Sequence, residues 1–188
     1  MRSPTELIGT TPLCPSDNAE FGARAMTTAE VETMIEAFIV AAERAEQAGF
    51  DGVELHGAHG YILCQFLSAE INLRDDRFGG SLENRVRPVF EIIQGIRARC
   101  SANFMLGLRL SPERFGMDLA EVLVVCERLF AEAQIDFLDM SHWDVFKDPM
   151  DEADGIAHCL AGDRLASQPA RCDISPRAAP RVAGKVGG

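Results

Sequence analysis

The stretch FDGVELHGAHGY, residues 50–61, carries the most informative local pattern of this chain. Its first half, Phe50–Leu55, directly follows a helix stop and predicts a short strand. Its second half places two histidines and the single tyrosine of the chain after that strand: His56, His59 and Tyr61. The stretch therefore predicts a strand whose carboxyl end carries a dense group of polar rings.

Three helices are predicted from capping signals and from apolar residues at helical spacing. The first begins at the capping box Thr27-x-x-Glu30 and ends at Gly49. The second extends over residues 81–99, and we expect Pro88 to interrupt it and to begin its main part, since proline suits a first turn. The third is capped by Asp118-x-x-Glu121. Each helix carries its apolar residues on one face, as a helix packed on a sheet does.

Each predicted helix is followed by a short predicted strand, and the second and third of these strands are Phe104–Leu110 and Ile135–Met140. Helix followed by strand, three times over, predicts an α/β fold with a parallel sheet. Residues 1–26 form a loop-rich lead-in. Residues 151–188 show no sustained helical or strand period. They are predicted to be an irregular tail, either disordered coil or a segment foreign to the preceding fold.

The composition narrows the class of protein. The chain has 47% hydrophobic and 25% charged residues, which is typical of a globular protein. With 18 Lys and Arg against 29 Asp and Glu, its formal net charge of −11 disfavours binding to nucleic acid or to an anionic membrane surface. No apolar run reaches the length of a membrane span, and the first residues lack an apolar signal core. We therefore expect a cytoplasmic protein whose six cysteines are free thiols.

Polar side chains that could carry chemistry follow the predicted strands. Parallel α/β folds bind their ligands at the carboxyl ends of the strands. Two imidazoles three residues apart, His56 and His59, could hold a metal, donate two hydrogen bonds to one oxyanion, or be structural. Tyr61 could donate a proton to a carbanion or could be a packing residue.

Two further features leave alternatives open. Arg109 lies in the apolar strand Leu108-Arg109-Leu110, where a permanent charge requires an anionic ligand or a buried carboxylate. The stretch Phe78-Gly79-Gly80-Ser81 precedes a helix start and could cradle a phosphate or simply form a turn.

These residues also resemble a known family. The stretch 49–63 is similar to the fourth strand and active-site loop of old yellow enzymes, the FMN-dependent NADH:flavin oxidoreductases that include ene-reductases and relatives of 2,4-dienoyl-CoA reductase. The similarity extends from about residue 5 to about residue 148. The other matching segments are Gln65–Ser68, Asn72, Arg74, Phe78–Arg85 and Leu108–Ser111.

The resemblance implies a fold and a set of roles. It implies that residues 27–150 are a partial TIM (β/α)8 barrel of about three central β/α units, with FMN over the carboxyl ends of the strands. His56 and His59 would bind the carbonyl oxygen of a small α,β-unsaturated substrate, and Tyr61 would protonate the carbon beside that carbonyl. Arg109 would lie against the flavin pyrimidine edge. NAD(P)H would reduce FMN, and hydride would then pass to the far alkene carbon.

The sequence leaves three functions open. The first is an FMN-dependent reductase that is incomplete as a lone chain and is active when the remaining strands are supplied. The second is a non-catalytic truncated remnant or an interaction fragment, whose exposed sheet edges would pair with another copy or with a complementing chain. The third is a metallohydrolase that uses His56-x-x-His59. In either of the first two cases we expect the isolated chain to be marginally stable, prone to aggregation or dependent on a partner.

Overall fold

The computed structural model of this chain describes residues 9–132 and 135–141. A short parallel pair, β1 (Leu13–Cys14) and β2 (Arg24–Ala25), precedes a three-stranded sheet. The predicted tail, 151–188, lies outside the described residues, so its character stays a prediction. None of the helices within the described ranges is both long and apolar enough to cross a membrane.

The first long helix, α1 (Thr28–Gln47), begins at the predicted capping box. Thr27 Oγ1 accepts a hydrogen bond from the Glu30 backbone N–H at 3.2 Å, and the Glu30 carboxylate accepts one from the Thr27 N–H at 2.8 Å. Gly49 has a φ of +87°, which glycine adopts without strain, and the chain leaves the helix there. The strand β3 (Gly52–Gly57) starts and ends two residues later than predicted, because its ends are set by pairing with a neighbouring strand.

The short helix α2 (Ile62–Leu67) follows the histidine loop and was not among the predicted elements. It has six residues, and its N-cap residue Tyr61 makes no side-chain capping hydrogen bond. A segment this short, with no cap, gives no helical signal in the sequence. Tertiary packing forms it instead, since Leu63, Cys64, Phe66 and Leu67 are all buried.

The helix α3 (Leu82–Arg99) runs through Pro88 without a break. The expectation that Pro88 would interrupt it and begin its main part is therefore wrong. Ser81 supplies the helix start, because its hydroxyl accepts a hydrogen bond from the Asn84 N–H at 3.3 Å. Proline removes one backbone hydrogen bond inside a helix, but here Pro88 is buried within the fold, so its ring is shielded from water.

The remaining elements complete a parallel sheet. They are β4 (Met105–Leu110), α4 (Leu119–Glu132), which is capped by Asp118, and β5 (Phe137–Met140). The strand order is β3-β4-β5, and both strand pairs are parallel. The predicted α/β fold with a parallel sheet is thus confirmed, and it is consistent with part of a TIM barrel, whose number of units stays an expectation.

The two faces of the sheet differ in what they carry. Side chains alternate along a strand, so neighbouring residues point to opposite faces. One face packs against the helices, and the core draws residues from all four of them. Its buried strand residues are Leu55, Leu106, Leu108 and Leu110. The opposite face presents partly exposed Glu54, His56, Arg109 and Asp139, and this face positions the candidate site.

Arg85 of α3 joins three separate segments inside the fold. Its Nε donates to the Leu67 carbonyl at 2.9 Å, its Nη1 donates to the Gly80 carbonyl, and its Nη2 pairs with the Glu121 carboxylate of α4. The residue is only 4% exposed. Because a buried guanidinium has no water to replace these partners, they must satisfy its charge.

We expect Arg85→Met to lower the free energy of unfolding by about 2–4 kcal/mol, because it leaves two carbonyls and one carboxylate without their donor. Arg99→Met is the matched control. It breaks the exposed ion pair with Glu36 and is expected to lower the free energy of unfolding far less than Arg85→Met does, because solvent screens an exposed pair. Urea denaturation of both variants measures the difference, and equal losses would contradict the structural role of Arg85.

Candidate active site

The loop after β3 turns sharply at the carboxyl edge of the sheet. His59 has a φ of +58° and Gly60 a φ of +73°, so two consecutive residues adopt the left-handed conformation. That conformation costs energy for a residue with a side chain, and local contacts must offset the cost at His59. Gln65 of α2 holds this loop, because its Nε2 donates to the Gly60 carbonyl at 2.7 Å.

Three rings meet in this loop. The ring centroid of His56 lies 5.0 Å from that of His59 and 5.0 Å from that of Tyr61. Tyr61 is 61% exposed, so its phenol has access to solvent. The structure thus brings together the three residues that the sequence singled out at the end of the first predicted strand.

His59 is held by two serines, Ser111 directly after β4 and Ser141 directly after β5. Its backbone N–H donates to the Ser111 hydroxyl at 3.0 Å, and its ring Nε2 lies 2.6 Å from the Ser141 hydroxyl. Phe115 adds an edge-on ring contact, with the two centroids 6.4 Å apart. These contacts act on both the backbone and the ring of His59, and they stabilise its left-handed conformation.

Arg109 lies beside His56 on the same face, because the two residues are register partners in β3 and β4. Its Nε lies 3.0 Å from a Glu54 carboxylate oxygen, and its Nε and Nη2 each lie 2.7 Å from Asp139 Oδ2. The sequence left an anionic ligand and a buried carboxylate open for Arg109. The structure provides two carboxylates, and both are partly exposed instead of buried.

The electrostatics of the cluster favour a neutral His56. Burial lowers the pKa of His56 below its ordinary value, the His59 ring and the Arg109 guanidinium lower it further, and Glu54 opposes them. A neutral imidazole has one N–H donor and one acceptor nitrogen. At neutral pH, His56 can therefore donate one hydrogen bond to an oxygen in front of the sheet edge.

Two alternatives from the sequence gain no support. The Phe78 N–H, which a phosphate cradle would use, already donates to Asp76 Oδ1 at 3.1 Å, and hydrogen bonding to Arg74 lowers the pKa of that carboxyl. The glycine pair is thus a turn built around a carboxylate. Within residues 9–132 and 135–141, no group of three or more His, Cys, Asp or Glu side chains could hold a metal ion.

Parallel strands that present rings and a guanidinium at their carboxyl ends define a class of α/β domain that binds ligands there. Comparison with known proteins identifies the family. The sequence model of the NADH:flavin oxidoreductase / NADH oxidase family matches residues 4–154. The chain therefore belongs to this family of oxidoreductases, and the resemblance seen in the sequence is confirmed.

Individual relatives agree with this assignment. A probable NADH-dependent flavin oxidoreductase of Bacillus subtilis, YqiG, is 40% identical over 136 residues, which are 69% of this chain and 36% of that protein. Cinnamate reductase of Clostridium sporogenes is 48% identical over 96 residues, 50% of this chain and 14% of that one. A structure of 2-naphthoyl-CoA reductase with 2-naphthoyl-CoA aligns with a TM-score of 0.60 and 37% identity, covering 63% of this chain and 18% of that one. This chain spans about a third or less of the length of these proteins.

Sequence reasoning missed the residues that support the site. It did not find Gln65 as the support of the loop, nor Glu54 and Asp139 as partners of Arg109. Residue parity could have indicated Glu54, because Glu54 and His56 share one face of β3, whereas Asp139 meets Arg109 through the register of β4 and β5. The contacts of Ser111 and Ser141 with His59 carry no local signal, since they join positions 52 and 82 residues apart.

We expect Arg109→Gln to raise the pKa of His56, because it removes a positive charge near the ring, and Glu54→Gln to lower it, because it removes a negative one. An NMR titration of the ring signals, assigned with His56→Gln, measures both shifts.

Since the pKa of His56 is lower in the folded chain than in the unfolded one, the stability contributed by neutral His56 is present above about pH 6.5 and is lost as the pH falls below it. A pKa of His56 at or above the ordinary imidazole value, or identical values in both variants, would contradict the electrostatic account.

Proposed function

We propose that this chain supplies the carbonyl-binding and proton-donating residues of an FMN-dependent reductase, which transfers hydride from NAD(P)H to small α,β-unsaturated carbonyl compounds. The observation that carries the proposal is the cluster of His56, His59 and Tyr61 at the carboxyl end of β3, in which the His56 ring centroid lies 5.0 Å from each of the other two. Membership of the flavin oxidoreductase family supports the same reaction class.

The two imidazoles activate the substrate. His56 and His59 each donate a hydrogen bond to the carbonyl oxygen, which withdraws electron density from the conjugated alkene. The oxygen gains negative charge as the enolate develops, so these hydrogen bonds are stronger in the transition state than in the ground state. A neutral His56 suits this role, because it stabilises the enolate as a donor without transferring its own proton.

Tyr61 completes the reduction. The chemistry that FMN supplies when bound is acceptance of hydride from NAD(P)H and its delivery to the far alkene carbon. The phenol of Tyr61 then gives its proton to the carbon beside the carbonyl, so the alkene gains one hydride and one proton. Because Tyr61 is exposed, water can return the proton to the phenolate.

Arg109 is the described residue that best fits the flavin. Its Nε and Nη2 contact the two carboxylates, whereas its Nη1 donates to no group among the residues that the structure describes. The guanidinium is also partly exposed on the same face as His56. Nη1 is therefore available to bind the electron-rich pyrimidine edge of FMN, and Glu54 and Asp139 hold the rest of the group in place.

A chimera tests the proposal, because the chain covers only part of its relatives. Residues 9–141 replace the matching segment of the Bacillus subtilis relative, and the two half-reactions are followed by flavin absorbance with NADH or NADPH and then with 2-cyclohexen-1-one. We expect Tyr61→Phe to slow reoxidation by the enone at least tenfold, since a positioned proton donor contributes about 10²–10⁴-fold. Reduction by the nicotinamide is expected to stay within twofold of the parent.

The same chimera carries its own control, because Tyr61→Phe removes one hydroxyl and leaves the ring that packs near His56. His56→Ala and His59→Ala are expected to weaken binding of the enone as well as to slow its reduction. The proposal fails if the chimera binds FMN but does not reduce the enone, or if all three variants match the parent in the oxidative half-reaction.

A further inference from the structure

We propose that Ser141 is a positioning residue, which holds the His59 ring, whenever that ring is neutral, in the tautomer that carries its proton on Nδ1. This role rests on the proposed function, in which His59 donates a hydrogen bond to the substrate oxygen. In that function, Ser141 determines which ring nitrogen of His59 carries the proton that the ring can donate. The proposal rests on the contact of 2.6 Å between Ser141 Oγ and His59 Nε2.

A contact of this length requires a proton between the two atoms. In a neutral histidine only one ring nitrogen carries hydrogen, and the other accepts. Either the Nε2–H donates to the serine oxygen, or the serine O–H donates to a bare Nε2. The two arrangements put the ring proton on opposite nitrogens, so Ser141 and the tautomer of His59 are coupled.

The hydrogen-bond environment of Ser141 favours the second arrangement. Across the described parts of the chain, the Ser141 hydroxyl has no partner other than His59 Nε2. If it accepted a hydrogen bond from Nε2, its own proton would have no acceptor among the described residues and could bond only to solvent, since Ser141 is partly exposed. If it donates to Nε2, that proton is satisfied and the ring proton must lie on Nδ1.

The backbone keeps Ser141 in place for this role. The Ser141 N–H donates to the Leu110 carbonyl at 2.8 Å, which extends the pairing of β5 with β4 by one residue. Ser111, the next residue after Leu110, accepts the backbone N–H of His59. Adjacent strands therefore contribute two serines with separate tasks: Ser111 anchors the backbone of His59, and Ser141 acts on its ring.

This separation supplies a matched control. Ser141→Ala removes the hydroxyl that contacts the ring, Ser141→Thr retains it, and Ser111→Ala removes only the contact with the backbone. Long-range ¹H–¹⁵N correlation NMR on the ¹⁵N-labelled chain at about pH 8, where histidines are ordinarily neutral, distinguishes the two tautomers. The signals of His59 are assigned by their loss in His59→Gln.

We expect the parent chain to show His59 mainly as the Nδ1–H tautomer. Ser141→Ala is expected to convert it mainly to the Nε2–H tautomer, whereas Ser141→Thr and Ser111→Ala are expected to keep the parental form. An Nε2–H tautomer in the parent chain overturns the proposal without any variant, so the test stands even if Ser141→Ala does not fold. An unchanged tautomer in a folded Ser141→Ala overturns it as well.

The measurement uses neither flavin nor substrate, so its outcome is separate from that of the proposed function. If Ser141→Ala switches the tautomer but the chimera reduces no enone, the positioning contact stands and the reaction class is wrong. If the chimera reduces the enone but the parent chain shows the Nε2–H tautomer, the reaction class stands and the role of Ser141 is wrong.

Discussion

The in-register parallel pairing of β3, β4 and β5 fixes both the packing of the core and the geometry of the candidate site. Pairing sets His56 opposite Arg109, and Arg109 opposite Asp139. Because side chains alternate along each strand, the same register sends the leucines of β3 and β4 into the helical core. A slip of one residue in β4 would move Arg109 into that core. It would also move Leu108 or Leu110 onto the face that carries His56. One register therefore serves both the packing and the site.

The loop after β3 depends on support from residues outside the loop, two of which are distant in sequence. A histidine in the left-handed conformation is stable only where surrounding contacts over-determine it. Here the support comes from Gln65 of α2 and from Ser111 and Ser141 at the ends of the next two strands. The ring cluster is consequently a property of the assembled sheet, and the loop alone would not hold it.

On the sheet face that carries His56, the positive charge of Arg109 is compensated by two carboxylates. Arg109 sits between Glu54 and Asp139, so its positive charge is compensated while one edge of its guanidinium remains available. The same guanidinium helps to keep His56 neutral. A neutral imidazole next to a compensated cation can donate to an oxygen that gains charge, and this is the chemistry that the family assignment and the geometry together favour.

Local and repeated signals were enough to predict most of the fold. Capping residues such as Thr27 and Asp118 and apolar periodicity located the three long helices, and the alternation of helix and strand predicted the parallel sheet. The family motifs located His56, His59, Tyr61 and Arg109 along the chain. Local signals failed at Pro88, where the cap at Ser81 and burial of the ring outweigh one missing backbone hydrogen bond.

Short-range patterns were enough to predict which residue types stand at the strand ends and that these strands run parallel. Which of those residues meet depends on how the strands and helices pack in three dimensions. The partners of Arg109 and the serines around His59 come from separate strands, and their contacts depend on register and on a loop conformation that α2 supports. Such contacts join distant positions through packing, so no local stretch of sequence encodes them.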